Sequence, residues 1–364
     1  MFAARLERVR GRLGAEGLSA FLVTSLSHDQ LLPNVYYVSG FTGSTAALLI
    51  TARRRFIITD SRYHEQVRQQ VDPGFELVDN TGKKLLEEVL PVLAREHGLS
   101  RIAFDAANVT HQAAGKLASN GVDWVPVSGW VEELRAVKDE VEIGRIRAAV
   151  KLGEQVLTEV LGLIGPDATE ADVAAEIEYR GLKLGAQGTS FTSIVATGAN
   201  AAKPHAGFTR QKLVSGAPLT IDMGVRLDGY CSDMTRTLFV RDCPAKWAGI
   251  YSVVRQAKDL ALAAVKPGML GREVDAVARD YIAQEGYGEY FGHGLGHGVG
   301  IEVHEGPTLS RTSETPLAHG NVVSDEPGIY LPGEGGVRIE DLLLVTEQGA
   351  ENLNTLSTSI TVVG

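Results

Sequence analysis

Hydrophobic and polar residues alternate in short runs over the first third of the chain. The segment MFAARLERVRGRLGAEG places Phe2, Leu6, Val9 and Leu13 at helical spacing with charged residues between them, which predicts an amphipathic helix. Apolar runs rich in β-branched residues follow: LSAFLVTS, AALLITARRRFIITDS (two strands about a basic turn), FELVDN, RIAF and DWVPVSG. Strand-like runs that alternate with helical ones predict an α/β domain over residues 1–130.

The pattern changes near Val131, where a long charged helical stretch begins. The run KDEVEIGRIRAAVKLGEQVLTEVLGLI predicts a helix to about Ile164, and a second helix starts near Thr169, with Asp172 three residues on as in a capping box. Strands follow, and the order of two helices and then strands recurs, with helices near 245–265 and 272–285. We therefore predict a second domain over residues 131–364, built from two halves that share one sheet region.

Composition and charge exclude several classes of protein. The apolar fraction is 44% and the charged fraction 22%, which is typical of globular chains, and the net charge of −10 disfavours nucleic-acid binding because no basic patch is visible. No run approaches the roughly 18 apolar residues of a bilayer-spanning helix, and the N-terminal helix lacks the apolar centre of a secretion signal. Only two cysteines, Cys231 and Cys243, are present, so we expect a protein of the reducing cytoplasm. Without a bilayer-spanning run we expect no membrane partner.

Two acidic residues are predicted to face each other across a hairpin in PLTIDMGVRLDGYCSDMTRT. Asp228-Gly229 is a strong signal for a tight turn, and a turn at that pair places Asp222 opposite Thr235. Because side chains alternate faces along a strand, Asp233 then lies diagonally from Asp222 on the same face. The two carboxylates would be within reach of one shared ion.

A second strand pair repeats this arrangement further along the chain. Glu326 and Glu340 flank the turn-rich segment LPGEGG, and a loop centred on Gly333 brings the two glutamates opposite each other. For either acidic pair alone, exposed strand carboxylates are the alternative, since acidic residues are ordinarily solvated.

Residues 291–305, FGHGLGHGVGIEVHE, contain three of the nine histidines and five glycines. Histidine binds metals and glycine permits close approach, so the stretch suggests a metal or acid/base site; a flexible surface loop is the alternative. Four carboxylates and one imidazole would suit two divalent ions, among Mn, Co, Fe and Zn, because like charges cluster inside a protein only when cations neutralise them. Two such ions bridged by water would form a hydroxide and polarise a carbonyl.

The motifs IDMG, DGYCSDMTRT, HGLGHGVGIEVHEGP, SDEPGIY and RIED, in this order and spacing, resemble the metallopeptidase family of aminopeptidase P, prolidase and methionine aminopeptidase. The resemblance covers most of residues 140–364 and implies a pita-bread catalytic domain. Upstream, YYVSGFTGS and TDSRYHEQ resemble the smaller N-terminal domain of the prolyl members. The predicted fold class is therefore α/β (α+β), with a small N-terminal creatinase-like α/β domain followed by a C-terminal pita-bread catalytic domain.

The resemblance implies five metal ligands: Asp222, Asp233, His297, Glu326 and Glu340. In the family pattern Asp233 and Glu340 bridge two ions, Asp222 holds one, and His297 with Glu326 holds the other. Glu326 would also carry a proton from the bridging water to the leaving amine. All five positions are filled, which argues against a metal-free relative such as creatinase. We expect two divalent ions per chain, with Mn²⁺ first and Zn²⁺, Co²⁺ or Fe²⁺ as alternatives.

Three further histidines and an arginine are expected at the substrate. His304 resembles the histidine that stabilises the tetrahedral intermediate, His293 one that lines the substrate pocket, and His205 a substrate-facing histidine of the prolyl members. These histidines and Glu326 form the expected catalytic set. Arg338, two residues before a predicted ligand, could orient that carboxylate or a substrate carboxyl group, or could form a structural ion pair.

For three residues near the predicted ligands, a structural role is the alternative to a role at the site. Tyr230 is either a hydrogen-bond donor behind the site or a strand aromatic. Cys231 shares a strand face with Asp233, so a thiolate ligand is conceivable, but we favour a small packing residue. Asp325 should point away from the metals, as an acid behind the site or at the surface.

The resemblance implies cleavage of the bond between an N-terminal residue and proline, as in aminopeptidase P, by a metal-bridging hydroxide. Proline has no amide hydrogen and its bond isomerises slowly, so a dedicated site is needed. The alternatives are an Xaa-Pro dipeptidase (prolidase) and, further away, methionine aminopeptidase or a metal-free binding module on the same fold. Peptides with proline in second position are the expected partners. A homodimer is also expected, because a partner subunit often closes the pocket in this family.

Overall fold

A computed structural model describes residues 2–24, 31–165 and 167–364 of the chain. Its contacts divide the chain into two compact units, Met1–Arg135 and Ala136–Gly364. This division lies five residues after the predicted boundary at residue 130, which stays a prediction. Among the described residues, no helix is both long and apolar enough to cross a bilayer.

The first unit is a six-stranded mixed sheet with helices, in the order β4-β3-β2-β1-β5-β6. The apolar positions Leu6, Val9 and Leu13 of the first helix are buried, as their helical spacing predicts. The strand predicted from LSAFLVTS runs to Ser25, which lies outside the described residues. The elements are α1 (Phe2–Ala15), β1 (Ala20–Thr24), α2 (Pro33–Ser39), β2 (Ala47–Thr51), β3 (Arg55–Thr59), α3 (His64–Gln70), β4 (Glu76–Asp79), α4 (Leu90–Glu96), β5 (Arg101–Asp105), α5 (His111–Ala118), β6 (Asp123–Val127) and α6 (Glu132–Ala136).

The second unit contains two pairs of long helices, each followed by strands. The helix starts agree with the sequence: Thr169 caps the second helix and forms the predicted capping box with Asp172. The elements are α7 (Glu140–Leu161), α8 (Glu170–Lys183), β7 (Gly188–Thr189), β8 (Ile194–Thr197), β9 (Pro218–Met223), β10 (Val225–Leu227), β11 (Tyr230–Cys231), β12 (Met234–Val240), α9 (Ala245–Ala264), α10 (Gly271–Gln284), β13 (Gly296–Gly298), β14 (Glu305–Leu309), β15 (Val322–Asp325), β16 (Gly328–Leu331), β17 (Gly335–Arg338), β18 (Asp341–Val345), β19 (Ala350–Asn352) and β20 (Val362–Val363).

Each helix pair of the second unit shares an apolar core with its own strands. Helices α7 and α8 pack with β8, β9 and β12, and helices α9 and α10 pack with β15, β17 and β18. The two main sheets, β20-β12-β9-β8 and β14-β13-β15-β18-β19, are separate, whereas the sequence predicts one shared sheet region. Where β12 approaches β17, the Thr237 hydroxyl donates to the Arg338 carbonyl and accepts from its amide, and a main-chain bond runs from the Glu340 amide to the Thr235 carbonyl.

Gly224 marks a close approach between β9 and the start of β12. A Cβ atom at this position would overlap the carbonyl oxygen of Ser232, whereas a Cβ atom on Gly144, in the middle of α7, would meet nothing within 4 Å. We expect Gly224→Ala to lower the free energy of unfolding by about 1–3 kcal/mol, the usual cost of overpacking. The matched variant Gly144→Ala should raise it by up to about 1 kcal/mol through helix propensity. Denaturant unfolding measures both, and equal stability of the two variants would contradict the close approach.

Candidate metal centre

The first pair of predicted ligands is positioned by a hairpin with a left-handed turn. Asp228 and Gly229 have φ values of 48° and 79°, the conformation that a type I′ turn requires. The strands then pair as the turn predicts, with Leu227 opposite Tyr230 and Asp222 opposite Thr235. The predicted register is therefore confirmed. Asp222 and Asp233 are 8% and 4% exposed, so they are not solvated strand carboxylates.

The second pair of predicted ligands lies in one long antiparallel register. Val322 pairs with Leu344 at one end and Leu331 with Gly335 at the other, and both pairs are centred on Gly333. Between the β15–β18 and β16–β17 ladders, the same register leaves Glu326 and Glu340 opposite each other. This agrees with the arrangement that the sequence predicts.

His297 reaches these carboxylates from β13, between two glycines that allow tight packing. A Cβ on Gly296 would overlap the carbonyl oxygen of Ser324, and one on Gly298 would overlap that of Gly306. The Nδ1 atom of His297 donates to the Gly298 carbonyl at 3.1 Å, which turns Nε2 towards the carboxylates. Nε2 lies 3.2 Å from Oε1 of Glu326. Thus the part of the glycine-rich stretch around His297 is a short strand in close contact with its neighbours, not a flexible surface loop.

All the predicted site residues line one cavity of about 520 Å³. Within it, Asp233, His297 and Glu340 each offer a ligand atom, and these atoms lie within 4.8 Å of one another. Asp222 and Glu326 line the same cavity beside them. The predicted substrate-side residues His205, His293, His304 and Arg338 complete the set.

Burial and mutual repulsion disfavour the ionised forms of the carboxylates in this cluster. Burial raises the pKa of Asp233 well above its usual value, and the charges of Glu340 and Asp222 raise it further. Burial and neighbouring carboxylates likewise raise the pKa of Glu340. Burial also opposes ionisation of Glu326, but the hydrogen bond and charge of His297 outweigh it and lower its pKa to about 2. Such a cluster needs added positive charge to hold all its carboxylates ionised.

The cluster fits divalent cations by its donor atoms as well as by its charge. Oδ1 of Asp233 is buried, yet it receives no hydrogen bond within the part of the chain that the structure describes. A buried polar atom without a partner is costly unless an ion or water completes it. Carboxylate oxygens with one imidazole, and no thiolate, are the ligands that suit Mn²⁺ and its neighbours in the transition series.

Arg338 is committed to the protein rather than turned to the cavity. Its Nη2 donates to Oδ2 of Asp222 at 2.6 Å, and its Nη1 donates to the carbonyl of Pro204 and to the hydroxyl of Tyr330. Its Nε donates to Thr235. Of the alternatives that the sequence left open, the structural ion pair is present, and its partner is Asp222 on β9.

Tyr330 is one residue of the site that sequence reasoning missed. Its hydroxyl accepts from Arg338 at 2.7 Å and lies 2.9 Å from Nε2 of His293. The Nδ1 atom of His293 faces the Gly294 carbonyl at 2.7 Å and must donate to it, so Nε2 accepts the tyrosine proton. Both ring nitrogens of His293 are thus occupied, and it meets the cavity with its ring. The signal in the sequence is the alternation that places Tyr330 on the face of Arg338.

The remaining histidines differ in how freely they can meet a ligand. His304 is stacked edge-to-face against His297, with ring centroids 4.2 Å apart, and burial lowers its pKa. His205 lies exposed in the loop after β8. The apolar wall near it is formed by Phe191 and Ile194, which sequence reasoning placed only as part of a strand.

Two hydroxyl groups complete the support of the ligands and were also missed. Thr235 donates to Oε2 of Glu340 at 2.7 Å. Ser324 accepts from the amide of His297 and donates to Glu326 at 3.1 Å. Both lie beside predicted ligands in the motifs, but threonine and serine in strands are common, so only the three-dimensional arrangement reveals them.

A buried charge network lies behind Glu340. Arg236 donates to the Glu340 carbonyl at 2.6 Å and to Asp341, which also receives the ammonium group of Lys258 at 2.7 Å. Together these cations outweigh burial and lower the pKa of Asp341. Asp325, opposite Asp341, is fully buried, and burial raises its pKa well above the usual value. It is therefore an acid behind the site, and the surface position that was its alternative is wrong.

Tyr230 and Cys231 are buried away from the cluster. The Tyr230 hydroxyl donates to Glu142 of α7 at 3.0 Å, and the Cys231 thiol faces the carbonyl of Ile301. Burial raises the pKa of this thiol, which disfavours a thiolate. Cys231 is thus a packing residue, as favoured from the sequence.

Comparison with known proteins gives matches in both units. Residues 144–347 match the model of Metallopeptidase family M24, and residues 5–137 match the Creatinase/Prolidase N-terminal domain. The chain is 34% identical over 325 residues to an Xaa-Pro dipeptidase of Pyrococcus horikoshii, across 88% of this chain and 90% of that one. These matches confirm the predicted fold class, a small creatinase-like domain followed by a pita-bread domain.

Solved structures resemble the chain over nearly its whole length. One is an Xaa-Pro dipeptidase from Bacillus anthracis, with a TM-score of 0.94 and 35% identity over 100% of both chains. Another is an X-Pro aminopeptidase from Thermotoga maritima, with a TM-score of 0.89 and 37% identity over 97% of this chain and 100% of that one.

A measurement of metal affinity distinguishes the expected ligands from Asp325, the buried acid beside them. We expect Asp233→Asn to weaken Mn²⁺ binding by more than about a hundredfold, because losing a ligand costs more than losing an outer hydrogen-bond partner. Asp325→Asn is the matched control, since it replaces a buried, unpartnered carboxyl group near Glu326 with an amide of the same shape. Calorimetric titration of chelator-treated protein measures both affinities. Wild-type affinity in Asp233→Asn would refute this assignment of the ligands.

Proposed function

The chain belongs to metallopeptidase family M24, and we propose that this peptidase hydrolyses Xaa-Pro dipeptides. The observation that carries the proposal is that the five expected metal-ligand side chains and three further histidines line one cavity. The similarity over full length to an Xaa-Pro dipeptidase supports the choice of substrate. The aminopeptidase P activity that the sequence was expected to encode is less well supported than its alternative, the dipeptidase.

An aminopeptidase P activity is kept as the second candidate because of one specific similarity. The X-Pro aminopeptidase from Thermotoga maritima is 37% identical over 97% of this chain. Both candidates act at the same bond and differ in what the cavity accepts beyond proline. Manganese as the ion, a homodimer and a cytoplasmic location stay predictions.

We assign the binding of two divalent ions to Asp222, Asp233, His297, Glu326 and Glu340. Such ions, when bound, supply a Lewis acid for the scissile carbonyl and lower the pKa of water. The protein fixes the ligands in advance: Thr235 orients one carboxylate of the set and Ser324 another. Preorganised ligands reduce the cost of ordering the site when the substrate arrives.

Glu326 is assigned the proton transfer of the reaction. Its carboxylate faces the cavity beside His297, at 3.2 Å from Nε2. As a base it would take the proton of the attacking water and pass it to the proline nitrogen, which must gain a proton to leave. An amine is too basic to leave as its anion, so a positioned acid is needed here as at any peptide bond.

The histidines of the cavity are assigned distinct roles. His304 is assigned an imidazole N–H that donates a hydrogen bond to the oxyanion formed from the scissile carbonyl. His205 lies at the edge of the cavity, where it can meet the substrate. His293 supplies a ring surface, since its two nitrogens are bonded to Tyr330 and Gly294. Phe191 and Ile194 offer an apolar wall for the proline ring.

Removing the Tyr330 hydroxyl tests the network that connects Arg338 to His293. We expect Tyr330→Phe to lower kcat/KM for an Xaa-Pro dipeptide about tenfold, which corresponds to about 1.4 kcal/mol of transition-state stabilisation. Tyr251→Phe is the matched control, because the hydroxyl of this buried tyrosine bonds the carbonyls of Thr358 and Ser359, which do not line the cavity. Steady-state kinetics measure kcat/KM for both variants. An equal loss of kcat/KM in Tyr330→Phe and Tyr251→Phe would show that the network between Arg338 and His293 has no special role.

The choice of substrate is tested by competition among three peptides. Enzyme stripped of metal and resupplied with Mn²⁺ receives equal amounts of Ala-Pro, Ala-Pro-Ala and Met-Ala-Ala, and mass spectrometry follows each. We expect Ala-Pro to be split fastest. Faster loss of alanine from the tripeptide would establish an aminopeptidase P, and preferred release of methionine a methionine aminopeptidase. If wild type and Asp233→Asn are equally inactive on all three, the proposed function fails.

A further inference from the structure

Glu170 is a buried carboxylate that neither lines the cavity nor contacts the metal cluster. It is the first residue of α8 and is fully buried. Oε1 accepts from the amide of Thr197 at 2.8 Å and from the side chain of Asn200 at 3.1 Å. Oε2 accepts from the amide and the hydroxyl of Thr209, at 2.8 Å and 2.6 Å, and again from Asn200. One carboxylate thus receives five hydrogen bonds.

These hydrogen bonds join the two ends of a segment that forms part of the cavity wall. Thr197 is the last residue of β8, and Thr209 follows the segment 198–208. Within this segment Pro204, His205, Ala206 and Gly207 line the cavity. Holding both ends of an irregular segment at one point removes much of its freedom, because the ends can no longer move independently.

The middle of the segment is also held by hydrogen bonds to two of its main-chain carbonyls. The carbonyl of Pro204 accepts from Nη1 of Arg338 at 3.1 Å, and that of Gly207 accepts from Asn200 at 3.0 Å. The base of the segment is thus joined to α8, and its middle to the arginine that holds Asp222. His205 lies between these two attachments.

The start of α8 does not need Glu170 for its own stability. Thr169 accepts from the amide of Asp172, and Asp172 accepts from the amide and hydroxyl of Thr169, so this end of the helix is already capped. Burying a carboxylate is costly unless its hydrogen bonds are complete, and all four donor groups here belong to residues 197, 200 and 209. The geometry therefore points to a role for this carboxylate in the segment rather than in the helix.

We propose that Glu170 is a positioning residue for peptide hydrolysis: it holds the segment 198–208 so that His205 meets the substrate. The clamp itself is a structural inference, whereas its effect on substrate rests on the proposed function. Glu170→Gln keeps the size of the side chain but turns one acceptor into a donor that faces the Thr209 amide and hydroxyl. The side-chain hold on Thr209 would then be lost, while the main-chain bond from the Ala171 amide to the Thr209 carbonyl and the support of the metal ligands remain.

The chain offers a matched control in Glu154 of α7. This largely buried glutamate accepts from the amide and the hydroxyl of Thr355 and from the amide of Leu356, at 2.6–2.8 Å. It uses the same kinds of donor, but the residues that it holds do not line the cavity. Glu154→Gln therefore reports the general cost of losing such hydrogen bonds.

The experiment compares Glu170→Gln with Glu154→Gln by amide hydrogen exchange and by kinetics on Ala-Pro. We expect faster exchange over residues 198–209 only in Glu170→Gln, and a KM about tenfold higher, the size that one or two hydrogen bonds to a charged group give. The kcat value and the Mn²⁺ affinity should change little. In the milder variant Thr209→Val, which removes the hydroxyl that donates to Glu170 and accepts from the Gln211 amide, KM should rise about threefold.

A double-mutant cycle with His205→Ala distinguishes positioning from general destabilisation. If Glu170 acts through His205, Glu170→Gln should raise KM no further once His205 is alanine, whereas independent effects would multiply. Unchanged exchange over 198–209 in both Glu170→Gln and Thr209→Val would overturn the clamp. Faster exchange with unchanged KM, or multiplying effects in the cycle, would overturn the positioning role. Wild-type enzyme inactive on Ala-Pro would defeat the proposed function alone, since exchange still tests the clamp.

Discussion

The mutual repulsion of four carboxylates in a buried cavity is the constraint on which the rest of the catalytic unit depends. Such groups stay together only if rigid elements hold them and positive charge compensates them. The fold supplies rigidity through two hairpins in fixed register, and part of the compensation through Arg338, which donates to Asp222. The same repulsion creates the demand for divalent cations, so the strain of the site and its affinity for metal have one origin.

Local turn chemistry made half of this arrangement predictable from sequence. Asp228-Gly229 and the loop around Gly333 each determine a register within a few residues, and the register then decides which carboxylates face each other. Contacts between distant parts of the chain were not predictable in this way. Arg338 bonds Asp222, which is 116 residues away, and Tyr330 acquires its role only because His293 comes to lie beside it.

Buried glutamates serve two opposite purposes in this fold. In the cavity they are left short of hydrogen bonds, which prepares them for cations. At Glu170 and Glu154 they are saturated by amides and hydroxyls and hold irregular segments against helices. Burial alone does not explain the difference, because Glu340 is buried like Glu170 and Glu154; the donors nearby differ. A buried acid in such a chain is therefore best interpreted by counting its donors before assigning it any chemistry.

The long register centred on Gly333 has a consequence for how the chain can change in length. Pairing on both sides of Glu326 and Glu340 fixes their juxtaposition, so the exposed tip around Pro332 and Gly333 contributes little to it. Insertions at this tip should be tolerated during evolution and in engineered fusions, whereas a single deletion within either strand would turn a glutamate to the opposite face. The tip is thus a place where a reporter or an affinity tag can be inserted while the ligands keep their alignment.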